Sequence, residues 1–157
     1  MSSANKNLSD YNPIKVAVKN KIISIVVSEW NELITESLYL GASRTLRDNG
    51  FHDSGIIRIN VPGSFELSLG AQKMAQRKDI DAIICLGCVI KGETKHFDFI
   101  CQAVAMGITE VSLKYDKPVV FGLLTPNNQK QAEDRAGGKY GNKGDEAAIT
   151  AIKMLQL

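Results

Sequence analysis

Four short runs of β-branched and aliphatic residues, each followed by a stretch with helical spacing, restrict this chain to one kind of fold. The runs are Ile22-Ile-Ser-Ile-Val-Val27, Ile56-Ile-Arg-Ile-Asn-Val61, Ala82-Ile-Ile-Cys-Leu86 and Val119-Val-Phe-Gly-Leu-Leu124. Runs this short and apolar read as strands buried on both faces, the mark of a parallel sheet. After the first, Ile34, Leu38, Ala42 and Leu46 recur at every fourth position and meet a helix stop at Asn49-Gly50. After the second, Leu67, Ala71, Met74 and Ala75 outline a helix ending near Arg77; after the third, Ile100, Val104, Ile108 and Val111 outline a longer one. The fourth run leads to a helix over 129–136, a glycine-rich kink over 137–144 and a last helix ending near Leu155. This alternation predicts an α/β fold in three layers, a four-stranded parallel sheet with right-handed crossovers and helices on both faces. Ligands of such sheets sit beyond the carboxyl ends of the strands, so the strand-to-helix junctions are where chemistry is to be sought.

At 157 residues the chain has the length of one domain, read as 13–157 behind a polar arm over 1–12 that is loosely ordered or orders against a neighbour. A domain of this size buries enough surface to fold without a disulfide or metal staple. Lysine and arginine number 19 and aspartate and glutamate 17, a net charge of +2 without a basic cluster, which excludes a dedicated nucleic-acid binder. The longest apolar stretch, 82–90, is well short of the ~18 residues that span a bilayer, so no membrane partner is expected. The N-terminal stretch lacks the apolar centre of a secretory signal, and with three cysteines this points to reduced thiols in a cytoplasmic protein.

The first junction, Ser28-Glu-Trp-Asn31, places the only tryptophan where a strand becomes a helix. Trp30 reads either as a lid on the core or as a rigid stacking surface for a planar ligand. In the second, Val61-Pro-Gly-Ser-Phe-Glu66, Pro62 and Gly63 signal a turn and Ser64 is placed to cap a helix starting at Phe65. Glu66 in that first turn suits the helix dipole, and equally suits accepting hydrogen bonds from a hydroxyl-rich substrate. The third, Gly87-Cys-Val-Ile-Lys-Gly-Glu-Thr-Lys-His-Phe-Asp98, is the richest. Gly92, Glu93 and Thr94 precede a long helix whose N–H groups make an anion site, with the Thr94 hydroxyl as a further donor. His96 falls in the first turn, beside any bound anion and suited to proton transfer near neutral pH.

Other features carry less. His52 lies in a connection and reads as a surface residue. Cys85 and Cys88 have the spacing of a redox or zinc pair but lie on a strand and its exit, with no second pair to complete a zinc set. They read as small core residues, and no metal is expected. Arg135-Ala-Gly-Gly-Lys-Tyr-Gly-Asn-Lys-Gly144 is either a flexible connection with solvated charges or, through Arg135, a phosphate clamp. Neither GxxxxGK[ST] nor GxGxxG occurs, so no nucleotide fingerprint is present.

Together, Val61-Pro-Gly-Ser-Phe-Glu-Leu67, the third junction, Phe121-Gly-Leu-Leu-Thr125 and Gln131-Ala-Glu-Asp-Arg-Ala-Gly-Gly-Lys-Tyr-Gly-Asn-Lys-Gly144 resemble, in order and spacing, the motifs of lumazine synthase. The resemblance runs from about Lys21 to Met154. It implies a flavodoxin-like fold and the penultimate step of riboflavin biosynthesis. There, 5-amino-6-(D-ribitylamino)uracil and 3,4-dihydroxy-2-butanone 4-phosphate condense to 6,7-dimethyl-8-ribityllumazine, releasing phosphate and water, on a transferase that uses no metal and no cofactor. Carried over residue by residue, Trp30 matches the aromatic that stacks on the pyrimidine, with Asn31 following as in the family pattern. Ser64, Phe65 and Glu66 match the ribityl-binding turn, and Val89, Ile90 and Lys91 the pyrimidine-binding segment. Glu93 and Thr94 match the phosphate-binding pair and His96 the proton-transfer histidine. Phe121 and Arg135 match residues supplied by a neighbouring subunit, Arg135 holding the phosphate, and Lys143 belongs to the same basic segment.

The resemblance therefore implies a homo-oligomer with shared sites, a pentamer or an icosahedral shell of roughly 60 copies. Three positions depart from the family pattern: Glu93 often corresponds to a smaller residue, Ser68 replaces a common proline, and Lys91 stands where arginine is frequent. Two readings stand beside the enzyme: a paralogue that carries riboflavin or lumazine without turnover, and a scaffold that assembles a shell. A phosphate-dependent signalling receiver is disfavoured, because only Glu29 lies close to a strand end.

Overall fold

The computed structural model describes residues 7–11, 18 and 20–157, so most of the arm over 1–12 lies outside the described residues. The four apolar runs form β1 (Ile23–Ser28), β2 (Ile56–Val61), β3 (Ala82–Cys88) and β4 (Val119–Leu124), all parallel, in the order β2-β1-β3-β4. Helices α1 (Glu32–Asp48), α4 (Gln129–Glu133) and α5 (Lys143–Met154) cover one face, and α2 (Leu67–Ala75) and α3 (His96–Tyr115) the other. This is the flavodoxin-like α/β fold. Because side chains alternate along a strand, Ile25, Val27, Ile84 and Leu86 face Leu38, Leu46, Ala148 and Ile152, while Val26, Ile83 and Cys85 face Leu67, Ala71, Val104 and Ile108. Each fully buried aliphatic side chain of this kind contributes about 1.5–3 kcal/mol.

The central strands β1 and β3 are buried along their whole length, as the sequence predicts for a parallel sheet. The edge strand β2 departs from that expectation. Its Ile57, Ile59 and Val61 pack against the α2 side, but Arg58 and Asn60 are exposed. Arg58 forms a two-pronged pair with Glu36 of α1, at 3.0 and 2.7 Å, and its guanidinium lies 4.3 Å above the Tyr39 ring. An edge strand has a neighbour on one side only, and a charged residue held flat on a helix blunts it.

Two further expectations are corrected. A single 3-10 turn, Ser64–Glu66, precedes α2, and Ser64 does not cap it. Its hydroxyl is buried without a hydrogen-bond partner among the described residues, packed where a Cβ on Gly87 would lie 2.7 Å away. The helix expected over 129–136 stops at Glu133, and the kink beyond it folds as a small antiparallel hairpin, β5 (Ala136–Gly138) and β6 (Gly141–Asn142). Gly137 and Gly141 take φ of 105° and 77°, which a side chain resists. Asn142 then starts α5 by accepting a hydrogen bond from Gly144 N–H at 2.8 Å.

Cys85 and Cys88 are core residues, as expected. Burial pushes the Cys88 thiol up to about 12, too high for a thiolate near neutral pH. His52 is exposed in its connection. Among the described residues, no helix is long and apolar enough to cross a membrane.

Candidate functional site

Two backbone hydrogen bonds and one from a side-chain amide draw the first three junctions together at the carboxyl edge of the sheet. Glu29 N–H donates to Val61 C=O at 2.8 Å and Trp30 N–H to Pro62 C=O at 3.2 Å, which joins the exits of β1 and β2. Asn31 has φ 61° and ψ 46°, a left-handed conformation that asparagine tolerates better than most residues. That turn starts α1 and carries the Asn31 amide to the Cys88 carbonyl at 2.8 Å, which joins the exits of β1 and β3. Asn31 is thus a brace for the rim, a role its sequence neighbours do not betray.

Two aromatic side chains stand out from this rim. Trp30 is 73% exposed, so the lid-on-the-core reading fails, and Phe65 is 56% exposed. Large apolar rings left in water at a sheet's carboxyl edge are suited to stacking on a flat ligand. Glu66 is half-buried, and its carboxylate folds back over the turn, where a Cβ on Gly63 would lie 2.9 Å from Glu66 Oε2. The turn that carries Ser64, Phe65 and Glu66 packs against α3, which brings it to the helix that begins with His96.

The third junction leaves β3 alongside the exit of β4. Val89 N–H donates to Leu124 C=O and Lys91 N–H to Pro126 C=O, both at 2.9 Å. Val89 and Ile90 are half-buried there, and Lys91 is exposed. Residues 92–95 then turn into α3. His96 is the first residue of that helix and is exposed; its N–H donates to Thr94 Oγ1 at 3.3 Å, which leaves the Thr94 proton available. Within the first turn, Asp98 and Phe99 N–H both donate to Lys95 C=O, at 3.0 and 3.3 Å, so an anion here would draw on the N–H groups of the exposed residues 92–95 and on the Thr94 hydroxyl. An anion, a hydroxyl donor and a titratable imidazole can meet at this point.

Phe121, Arg135 and Lys143 lie apart from that rim. Phe121 is on the edge strand β4 and 37% exposed. Arg135 follows α4 and is half-buried, one guanidinium nitrogen donating to Gln131 C=O at 3.3 Å and the group lying 4.8 Å above the Tyr140 ring. Lys143 opens α5, and its ammonium is paired with Glu146 at 2.9 Å. Arg135 and Lys143 therefore belong to the α1–α5 side of the sheet, whereas His96 opens a helix of the other side. Tyr140 escaped the sequence reading. Its signal was a lone aromatic in a glycine-rich segment, five positions after the arginine it supports. Among the described residues, no three of His, Cys, Asp and Glu are grouped to hold a metal ion.

The family model for 6,7-dimethyl-8-ribityllumazine synthase matches residues 20–157, a span that takes in every candidate residue from Trp30 to Lys143. The chain belongs to that family. It is 64% identical to the 6,7-dimethyl-8-ribityllumazine synthase of Cytophaga hutchinsonii over 155 residues, 99% of this chain and 98% of the relative. It is 53% identical to that of Parabacteroides distasonis over 99% of this chain and 98% of the relative, and 56% identical to that of Bacteroides fragilis over 83% and 92%. Both sets of candidate residues lie within the span shared with the first two of these relatives of the lumazine synthase family.

Proposed function

We propose that this chain is a 6,7-dimethyl-8-ribityllumazine synthase acting in riboflavin biosynthesis. It condenses 5-amino-6-(D-ribitylamino)uracil with 3,4-dihydroxy-2-butanone 4-phosphate and releases phosphate and water. The observation that carries this reading is the start of α3, where His96 and the Thr94 hydroxyl stand at a helix N-terminus beside a rim bearing Trp30, Phe65 and Glu66. The pyrimidine stacks on Trp30 against Val89, Ile90 and Lys91, with Asn31 bracing the rim, and the ribityl hydroxyls reach Ser64, Phe65 and Glu66. The Ser64 hydroxyl, buried without a hydrogen-bond partner among the described residues, is in keeping with a ligand that supplies that bond.

The substrate amine attacks the ketone and forms an imine with loss of water. Phosphate then leaves, and the second amine closes the ring with loss of a further water. His96 moves protons between these steps, for which an imidazole is suited near neutral pH. Phosphate binds at the N–H groups around Glu93 and Thr94, helped by the Thr94 hydroxyl, with the exposed Glu93 carboxylate staying in water. None of these steps calls for a metal or cofactor.

Arg135 completes the phosphate site, and Phe121 the pyrimidine site, from an adjacent copy; Lys143 contributes charge through the same basic segment. The placement of Arg135 on the α1–α5 side supports this split, and so do the exposed Leu33, Phe99 and Leu113, which leave apolar surface for neighbours. The working unit is a pentamer in the cytoplasm, with an icosahedral shell as its larger form. Purified protein mixed with both substrates is expected to produce the fluorescent lumazine and release phosphate. Binding of the lumazine without turnover would instead identify the carrier paralogue.

A further inference from the structure

The described part of the N-terminal segment is bound to the hairpin that follows Arg135. Leu8 N–H donates to Tyr140 C=O at 2.8 Å, and Ser9 Oγ accepts from Asn142 N–H at 2.9 Å. The contact is made at backbone distance. Gly141 has φ 77°, and a Cβ there would overlap Asn7 Oδ1 and lie 2.7 Å from Ser9 N. Farther along, the Tyr11 hydroxyl is 3.1 Å from Thr45 Oγ1. Thr45 gives its own proton to the buried Asp145 carboxylate at 3.0 Å, so Tyr11 is the donor to Thr45. Residues 7–11 are thus fastened at one end to β5–β6 and at the other to the α1–α5 pair.

Tyr140 is the residue beneath the Arg135 guanidinium, and its backbone is held on both sides. Its N–H donates to Asp134 C=O at 2.7 Å, and its C=O receives the Leu8 N–H. The opposite side of the hairpin is tied to α1 by Asn142 Nδ2 donating to Ser37 C=O at 2.9 Å and by Ser37 Oγ donating to Ala136 C=O. Ser37 and residues 7–9 therefore grip the hairpin from two sides. Nothing in the proposed chemistry uses residues 7–11.

We propose that residues 7–11 act as a positioning strap for the anion clamp. They set Tyr140, and through it the Arg135 guanidinium, at the height needed to meet the phosphate of the butanone substrate, without touching that substrate. This rests on the reading of Arg135 as the phosphate clamp.

The test measures kcat, KM for each substrate and competitive inhibition by inorganic phosphate, on assemblies of verified size. The variants are Ser9→Ala with Tyr11→Phe, Arg135→Ala, and all three changes combined. The strap variant is expected to raise KM for the butanone phosphate and the inhibition constant of phosphate about 3- to 10-fold, the cost of one or two neutral hydrogen bonds. KM for the uracil substrate and kcat should stay within about twofold, a split that general destabilisation would not produce. In the Arg135→Ala background the strap changes should add nothing, because the group they position is gone. Unchanged phosphate constants in the strap variant, or full additivity with Arg135→Ala, would overturn the strap. Unchanged phosphate affinity in Arg135→Ala alone would instead remove the clamp itself, and the strap's function with it.

Discussion

Gly144→Ala sets two physical effects against each other. Gly144 lies inside α5, and by helix propensity alone alanine there should stabilise the protein by up to about 1 kcal/mol. The packing argues the opposite. A Cβ at 144 would overlap the Leu38 carbonyl oxygen and lie 2.8 Å from Leu38 C and 3.0 Å from Ala42 N. All three are backbone atoms of α1, so no side chain can swing away, and α1 and α5 must move apart across the core that Leu38, Ala148 and Ile152 share. Overpacking of this kind costs about 1–3 kcal/mol, and a backbone obstacle belongs at the upper end. The net loss is about 2 kcal/mol, which for a chain of this size lowers Tm by about 4–8 °C. Thermal unfolding at one subunit concentration is the assay, since assembly contributes to apparent stability. Gly92→Ala is the control: a Cβ there meets nothing within 4 Å, so its Tm should stay within about 2 °C of the parent. Because Lys143 N–H is bonded to Arg135 C=O at 2.8 Å, the Gly144→Ala variant should also weaken phosphate binding. A Gly144→Ala variant as stable as the parent would refute the close α1–α5 contact.

Three further outcomes are expected. His96→Ala should lower kcat by about 10²- to 10⁴-fold in steady-state turnover, with a residue of activity because amine and ketone also condense unaided; full turnover would remove His96 from proton transfer. Arg135→Ala should weaken the butanone phosphate by about 1.5–3 kcal/mol, roughly 10- to 150-fold in KM, and leave the uracil substrate nearly unaffected, whereas the reverse pattern would place the clamp elsewhere. Iodoacetamide near neutral pH, followed by mass spectrometry, should leave Cys85 and Cys88 unlabelled in the folded protein while the part-exposed Cys101 reacts slowly, since burial holds all three thiols protonated; rapid labelling of Cys88 would contradict its burial.

Much of this architecture is written in local pattern. The β-branched runs and the four-residue recurrence from Ile34 to Leu46 translate directly into β1, β3 and α1, because burial on both faces leaves no choice of residue. β2 was legible only in part: its apolar run predicts burial on both faces, whereas the alternation of Ile57, Ile59 and Val61 with Arg58 and Asn60 is that of a strand wet on one face. The β5–β6 hairpin was not, because strands of two or three residues carry no periodicity and Gly138-Lys-Tyr-Gly141 lacks the Asn-Gly turn signal. The junctions that bear Trp30, Glu66 and His96 could be located because a parallel sheet collects its ligands at one edge. What could not be read were contacts between distant segments: Asn31 on the Cys88 carbonyl, Ser64 turned to Gly87, and residues 7–9 on the hairpin. Each depends on three-dimensional neighbours that no local spacing encodes.

The proposed site takes His96 from one chain and Arg135 from another. Co-assembly of His96→Ala with Arg135→Ala measures this directly, because mixed rings hold some interfaces at which both wild-type residues meet. Lumazine formation by the mixture, well above the sum of the two variants alone, is the predicted result. Mixed rings proven by mass that stay as inactive as the separate variants would mean that each site lies within a single chain.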